Sequence, residues 1–510
     1  MPHPENTPKI PLPSDESARL EAVPEAAPET PAMTDQQTDD QRNALPVIVI
    51  LLCATFVVIL NETLMNVALP HLMVSLSIAE VSTVQWVATA FMLTMSVVIP
   101  TTGFLLSRLT TRQTFTLAMG LFTLGTVVCA AAPSFPVLIV GRVIQASGTA
   151  VMMPLLMTTI LQLVPLNRRG AVMGNASIAI SVAPAVGPAL SGLILQHFEW
   201  RFLFVFMLPV ALLMLAAGLL RLKNVGVQTS RPLDWPSVLL TIPGFGGFVY
   251  GINEIAVNPG PATIVSLVVG LVCIVLFCRR QLALTKGGEP LLDLRVFTFA
   301  PFAKGLALMS ISMIAMFGTI ILFPLYMQQL LGKDSLTTGL LMLPGGLIMG
   351  LAAPPVGRLF DRIGARPLVL TGTSILVVTA LVMSRFDSGT SMWLGLAVYT
   401  VFSFGLALIF TPTFTYSLNP LPPRLYSHGS ATLSSIQQLA GGLGVALLTG
   451  VMQASRLAAL RHGDGTPAAQ VSAAEAGLGA AFLVAAGFAV LGVILAFRMT
   501  TTPAAAEPKP

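Results

Sequence analysis

Three ionisable side chains, Glu62, Arg142 and Glu254, lie inside stretches that are otherwise too apolar to hold them. An ionisable group at bilayer depth costs about 2.5–3.5 kcal/mol or more, so a chain that keeps one there needs it for chemistry or gives it a specific partner. A carboxylate such as Glu62 can take up and release a proton, and protonation removes a buried charge. An arginine such as Arg142 stays charged and can favour the ionised form of a neighbouring carboxylate or hold a proton path in register. Glu254 lies near the end of its stretch, where it reads either as a second acid or cation contact or as a solvated interface residue. Uncharged polar residues accompany them: Asn61 and Asn66 beside Glu62, Gln145 three residues after Arg142, and Tyr326, Gln328 and Gln437 in later stretches. These could line a cavity or bridge helices, and the sequence leaves both uses open.

No other chemistry stands out. Cys53, Cys129, Cys273 and Cys278 all fall in apolar runs without a CxxC pair, and the five histidines are scattered. Neither a disulfide nor a metal site is expected, and no cofactor is implied. No nucleophile, histidine and acid come together, so the residues do not suggest an enzyme.

The elements that must position these groups follow from composition. The chain has 510 residues, 54% hydrophobic and 10% charged, with a mean hydropathy of +0.82. A soluble domain has about 25% charged residues, so this chain has too little polar surface to wrap a water-soluble core. From Pro46 onward, apolar runs of about 17–25 residues alternate with short polar breaks, the length that crosses a hydrocarbon layer of about 30 Å. There are fourteen, from 46–69 to 477–497. Runs this long must be helices, because lipid offers the backbone no hydrogen-bond partners. The expected fold is therefore an all-α polytopic membrane protein.

Residues 1–45 carry nine acidic groups, many prolines and almost no large apolar side chains, the composition of a disordered tail. Fourteen spans put both termini on one side. With that side cytoplasmic, 21 of the 27 Lys and Arg lie there, against Arg201, Lys333, Arg385, Arg456 and Arg461 on the other side. The positive-inside rule thus favours cytoplasmic termini. The net charge of +5 records topology rather than a basic face, and no nucleic-acid partner is expected.

The loop after the tenth span reads Gly357-Arg-Leu-Phe-Asp361-Arg362-Ile-Gly364-Ala-Arg366. Its spacing suits a tight turn and a breakable latch in which the carboxylate pairs with neighbouring arginines. The loop after the second span keeps Gly103, Arg108 and Arg112 but has Ser107 and Thr110 where the acid and second glycine would stand. The fourth span carries Arg142-Val-Ile-Gln145-Ala-Ser-Gly148, and the fifth Pro184-Ala-Val-Gly187-Pro188-Ala-Leu-Ser191-Gly192. Small residues in such a span allow close helix approach, and Pro188 removes a backbone bond.

Together these segments resemble the major facilitator superfamily, and the span-five motif is similar to that of its antiporters. The span-one sequence Leu60-Asn61-Glu62-Thr63-Leu64-Met65-Asn66-Val67-Ala68-Leu69-Pro70 resembles an element of the fourteen-span drug:proton antiporter branch, with the branch's Asp aligned on Asn61 and the acid moved to Glu62. Trp200-Arg201-Phe202, Leu233-Asp234-Trp235-Pro236 and Pro290-Leu-Leu-Asp293-Leu-Arg295 are similar to the branch's linker elements. The likeness covers about residues 46–450 and points more weakly to the lincomycin-resistance-like exporters.

The resemblance implies two six-helix bundles, 46–221 and 301–498, joined by residues 222–300 with two extra central helices, and a cytoplasmic tail at 499–510. It implies export of a small amphipathic compound against protons, with Glu62 and Arg142 as the coupling pair. Asn61, Asn66, Gln145, Glu254, Tyr326, Gln328 and Gln437 become cavity candidates. A monomer would suffice. The same architecture would serve an exporter of a native lipid, siderophore or secondary metabolite, and a membrane sensor or enzyme fits less well.

Overall fold

The computed structural model describes residues 35–76, 81–224, 234–255, 260–285, 290–461 and 466–499. Thirteen helices among them are long and apolar enough to cross a membrane. Arg169–Leu195, 27 residues long, occupies the place of the expected fifth span and at 1.5 Å per residue measures about 40 Å. In chain order the fourteen are Asp35–Ser75 (α1), Val81–Val98 with its continuation Thr102–Arg108 (α2), Thr111–Ala130 (α3), Phe135–Leu163 (α4), Arg169–Leu195 (α5) and Arg201–Arg221 (α6). Then come Trp235–Ile255 (α7), Pro261–Leu284 (α8) and Ala300–Leu330 (α9), followed by Ser335–Ile363 (α10), Ala365–Met383 (α11), Met392–Leu418 (α12), Tyr426–Arg461 (α13) and Pro467–Phe497 (α14).

Several helices outrun the apolar runs that announce them. α1 begins at Asp35, so residues 35–45 are helical rather than part of the expected tail, whose remaining residues 1–34 lie outside the described ones. α13 extends to Arg461 and α14 starts at Pro467, each about ten residues past the hydropathy boundary. Hydropathy marks where lipid ends, whereas a helix continues through Ala, Gln and Arg, which propagate it in water as well.

The packing repeats with an offset of eight. α1 packs on α4, α5 and α6, α2 on α4, and α3 on α4 and α6; α9 packs on α12, α13 and α14, α10 on α12, and α11 on α12 and α14. Two equivalent six-helix bundles result, with α7 and α8 packed together between them in sequence. The bundles meet along α5 with α10 and α2 with α13, two seams that the same offset exchanges.

The hydrogen bonds between the bundles cluster toward the face where α1 begins and α14 ends, here the terminal face. Thr158 and Ser430 hydroxyls are 2.8 Å apart, as are those of Ser177 and Thr411. Arg169, buried between the bundles, donates to the Val164 and Leu161 carbonyls of its own half at 3.0 and 2.6 Å. It also reaches Asn419 at 3.4 Å and the Tyr426 hydroxyl at 3.2 Å across the seam. This structure is closed at the terminal face.

Candidate functional site

Asn61 and Glu62 are consecutive on α1, so their side chains leave the helix about 100° apart. That rotation gives them different neighbours. Asn61 is buried, 1% exposed, and its Oδ1 accepts from Arg142 Nη1 at 3.5 Å. Glu62 is half-buried and has no hydrogen bond or ion pair among the described residues.

Arg142 enters from α4 and is itself 1% exposed. Its Nε donates to the Val87 carbonyl of α2 at 3.3 Å and its Nη1 to Gln145 Oε1 at 2.6 Å. The guanidinium lies 4.1 Å from the Phe91 ring centroid, a cation–π contact that a desolvated setting strengthens. Gln145 passes the chain on, donating to Thr126 Oγ1 of α3 at 2.9 Å, and Thr126 donates to the Phe122 carbonyl at 2.7 Å. Four helices thus hold one cation through neutral groups, and its charge acts on Glu62 without a direct bond. Such a site can stabilise a carboxylate electrostatically while leaving it able to exchange a proton or meet a cationic ligand.

The span-five motif positions this part of α1. A Cβ at Gly187 would collide with Thr63 Oγ1, so only glycine lets α5 lie this close. One turn on, Ser191 Oγ donates to the Leu64 carbonyl at 2.8 Å. The two residues that follow Glu62 are therefore fixed by the motif face of α5. The helix runs unbroken through Pro184 and Pro188, with Pro184 half-buried and the Pro188 side chain outside the described residues. Gly192 has open space beside it.

The latch differs from the sequence expectation. Asp361 does not pair with Arg362 or Arg366; its Oδ1 and Oδ2 accept the backbone N–H groups of Gly170 and Ala171, each at 3.0 Å. Those are first-turn donors of α5 in the other bundle, which have no partner within their own helix and carry the positive end of its dipole. A carboxylate there caps the helix from outside. Gly357 sits against Gly170 so closely that a Cβ on it would strike the Gly170 carbonyl oxygen. Gly364 ends α10 with φ of 78°, while Arg362 is exposed and Arg366 half-buried. In the other loop, Arg108 is exposed with its guanidinium 5.9 Å from the Phe104 ring, and Arg112 donates to the Leu219 carbonyl within its own bundle.

Asp361→Ala is expected to loosen the terminal face. Losing even one charge-assisted bond of about 1.5 kcal/mol shifts a two-state equilibrium about tenfold. The alkylation rate of a cysteine introduced by Ser177→Cys, measured from the terminal side, should rise by that factor. An unchanged rate would show that the cap does not hold the face shut.

The remaining candidates do not gather around Glu62. Gln145 is fully buried against Arg142 rather than facing a cavity. Tyr326, also buried, donates its hydroxyl to the Asp387 carbonyl at 3.2 Å and lies against the Phe386 ring, tilted by 34°, far along α9. Gln328 is exposed, Gln437 half-buried, and Glu254 half-buried near the end of α7. The Asn66 side chain is outside the described residues. Sequence reasoning missed Arg169, which reads as one more basic residue at a membrane boundary. It also missed the Val87 carbonyl and the Phe91 ring, which carry no signal in sequence.

Comparison with known proteins agrees with this architecture. Residues 51–445 match the family model described as Major Facilitator Superfamily. The chain is 40% identical over 463 residues to an uncharacterized MFS-type transporter, YcnB, of Bacillus subtilis (strain 168), covering 90% of this chain and 96% of that protein. It is 37% identical to the lincomycin resistance protein LmrB of Listeria innocua, over 88% of this chain and 95% of that one. The crystal structure of the human organic anion transporter MFSD10 superposes with a TM-score of 0.64 at 17% identity, covering 89% of this chain and 99% of the other, which supports the fold. A paired six-helix architecture, an Asp361 cap across the bundles and this breadth of likeness lead to one assignment: the chain is a multi-pass membrane transporter and belongs to the major facilitator superfamily.

Proposed function

We propose that the chain is a proton-coupled exporter that expels amphipathic drug-like compounds by alternating access. One observation carries the reading: a half-buried carboxylate, Glu62, without a protein partner among the described residues, beside an arginine whose Nε and Nη1 are turned to Val87, Asn61 and Gln145. A structural acid would be paired, because an unpaired buried charge is costly. An acid kept unpaired beside a fixed cation suits one whose partner arrives and leaves. The likeness to a lincomycin resistance protein, and the antiporter-like motif that packs on Thr63 and Leu64, support export rather than uptake.

In the proposed cycle Glu62 takes a proton from the face opposite the termini and releases it on the terminal side, which the distribution of Lys and Arg makes cytoplasmic. Protonation removes a buried charge and so changes the relative cost of the two bundle arrangements. A cationic substrate competes for the same carboxylate. Asp234 and Asp293, outside the spans, do not serve this role. Arg280 grips Asp234 and holds its carboxyl below the usual range. At Asp293, burial pushes the carboxyl up, but the bonds from Arg295 outweigh it and leave it below that range. Their contribution is present above the unfolded value of about 3.9 and is lost only as pH falls through a still lower folded value, so neither titrates between pH 5 and 8. One chain holds both bundles and the whole site, so a monomer in the bacterial cytoplasmic membrane suffices.

Inverted vesicles carrying the protein test this. With a panel of amphipathic dyes, imposing a proton gradient should raise dye uptake several-fold over gradient-free vesicles. Equal uptake in both overturns proton coupling. Absence of dye uptake, together with loss of secretion of a native lipid or metabolite from cells lacking the protein, favours an exporter of an endogenous amphiphile.

A further inference from the structure

The guanidinium of Arg142 has N–H donors and no acceptor, so the end of Gln145 that meets it is the amide oxygen. That Oε1 lies 2.6 Å from Nη1. The amide –NH2 then faces the other way, into an interior where Gln145 is fully buried and an unbonded N–H is costly. It donates to Thr126 Oγ1 of α3, also fully buried, at 2.9 Å.

A hydroxyl carries one proton and can act toward an amide either as donor or as acceptor. At Thr126 that choice is already made. Its proton goes to the Phe122 carbonyl, one turn back on α3, at 2.7 Å, which leaves lone pairs for Gln145. Thr116, Thr149 and Thr159 return their hydroxyls to carbonyls four residues back in the same way, a common local bond of threonine in a helix. Thr126 differs from these three in also accepting from a side chain on another helix. The chain of bonds therefore runs one way, from Arg142 to Gln145 to Thr126 to the Phe122 carbonyl. Were the Thr126 proton turned to Gln145 instead, the amide would reverse and set its –NH2 against the guanidinium, donor against donor.

Close helix contact makes the arrangement possible. A Cβ at Gly125 would strike the backbone of Gln145, and one at Gly148 would strike the Ala118 carbonyl oxygen. α3 and α4 thus approach most closely around Gln145, and Thr126, next to Gly125, is carried to its amide. On the far side of the guanidinium, the second contact of Nη1, with Asn61, is long at 3.5 Å. The Gln145 oxygen is the nearer of the two acceptors that hold Nη1.

We propose that Thr126 is a positioning residue for the Glu62–Arg142 pair: by fixing which end of Gln145 faces Arg142, it keeps Nη1 on Gln145 and off Glu62. It acts through Gln145 and belongs to neither the proton carrier nor the cation. Its effect on transport rests on the proposed role of Glu62 and Arg142 in coupling, whereas the orientation itself is measurable without transport.

Thr126→Val and Thr126→Ser, each in the full chain in liposomes, test it. Valine keeps the shape and removes the acceptor, and the Phe122 carbonyl retains the backbone bond of its own helix. Serine restores the hydroxyl. Solid-state NMR of protein with isotope-labelled arginine, glutamine and glutamate reads the contact between the Arg142 guanidinium and the Gln145 side-chain carbonyl, assigned by its loss in Gln145→Leu. Valine should abolish that contact and produce one to a glutamate carboxyl that disappears when Glu62→Gln is added; serine should leave the wild-type contact in place. Gradient-driven dye uptake in inverted vesicles should fall about tenfold or more with valine, the loss expected for one hydrogen bond to a charged group, and return to within about twofold of wild type with serine. A packing role alone would lower uptake without creating the arginine–glutamate contact. Persistence of the Arg142–Gln145 contact in Thr126→Val, absence of the new contact to Glu62, or equal effects of serine and valine overturns the proposal. Contacts that move as expected while uptake stays unchanged support the positioning and overturn the coupling role of Glu62.

Discussion

Glu62→Gln is expected to abolish proton-driven efflux while the protein remains folded in the membrane. Glutamine keeps the length and most of the hydrogen-bonding capacity of a protonated glutamic acid, so the substitution fixes the site in its neutral form. No partner among the described residues loses a bond, so nothing that holds the fold is removed. The energy at stake is the cost of carrying a charge at that depth, about 2.5–3.5 kcal/mol, which corresponds to a factor of about 100 in the equilibrium that the proton would switch. Gradient-driven dye uptake in inverted vesicles should fall by about that factor, to the level of empty vesicles. Substrate exchange without a gradient should persist, because the bundles can still rock. Full gradient-driven uptake by Glu62→Gln would remove Glu62 from the mechanism. The double variant Asn61→Asp with Glu62→Gln then asks whether the acid can work one residue earlier. It would place a carboxylate within reach of Arg142 Nη1, where it would form the ion pair that Asn61 avoids, so recovery should be partial at most.

What sequence disclosed and what it hid divide along a physical line. Glu62 and Arg142 were legible because a charge in an apolar run has no ordinary explanation, and Gln145 because a residue three positions on shares the face of a helix. The fourteen spans were legible for the same reason, as lengths of apolar chain set against the thickness of lipid. Their ends were not: Asp35–Leu45 and Gln453–Arg461 continue helices through residues whose polarity says only that lipid has stopped. The partner of Asp361 was also hidden. The local sequence offers Arg362 and Arg366, whereas the structure uses backbone N–H groups 191 and 190 positions away, and an unfilled helix N-terminus has no side-chain signature. Arg169 shares that cause: it is one basic residue at a membrane boundary, which topology alone explains until the opposing bundle is in place.

Arg142→Lys should be nearly as damaging as loss of the acid, and for a reason that separates shape from charge. The guanidinium directs Nε to Val87 and Nη1 to both Asn61 and Gln145 while its plane lies near Phe91. An ammonium on a flexible stem keeps the charge but cannot present donors in those fixed directions or stack in the same way. At least one of the buried acceptors is then left unsatisfied, at about 1–3 kcal/mol, and the cation is free to swing onto Glu62, now the strongest acceptor within reach. An ion pair there would hold the acid in one protonation state. Gradient-driven efflux should therefore drop at least tenfold, while binding of a dye to the purified protein, measured without a gradient, changes by no more than about threefold. Adding Glu62→Gln to Arg142→Lys removes the acceptor and should cause little further loss, since the two changes strike the same step. Independent, multiplicative losses in that double variant would show that Arg142 acts on transport by a route that does not pass through Glu62.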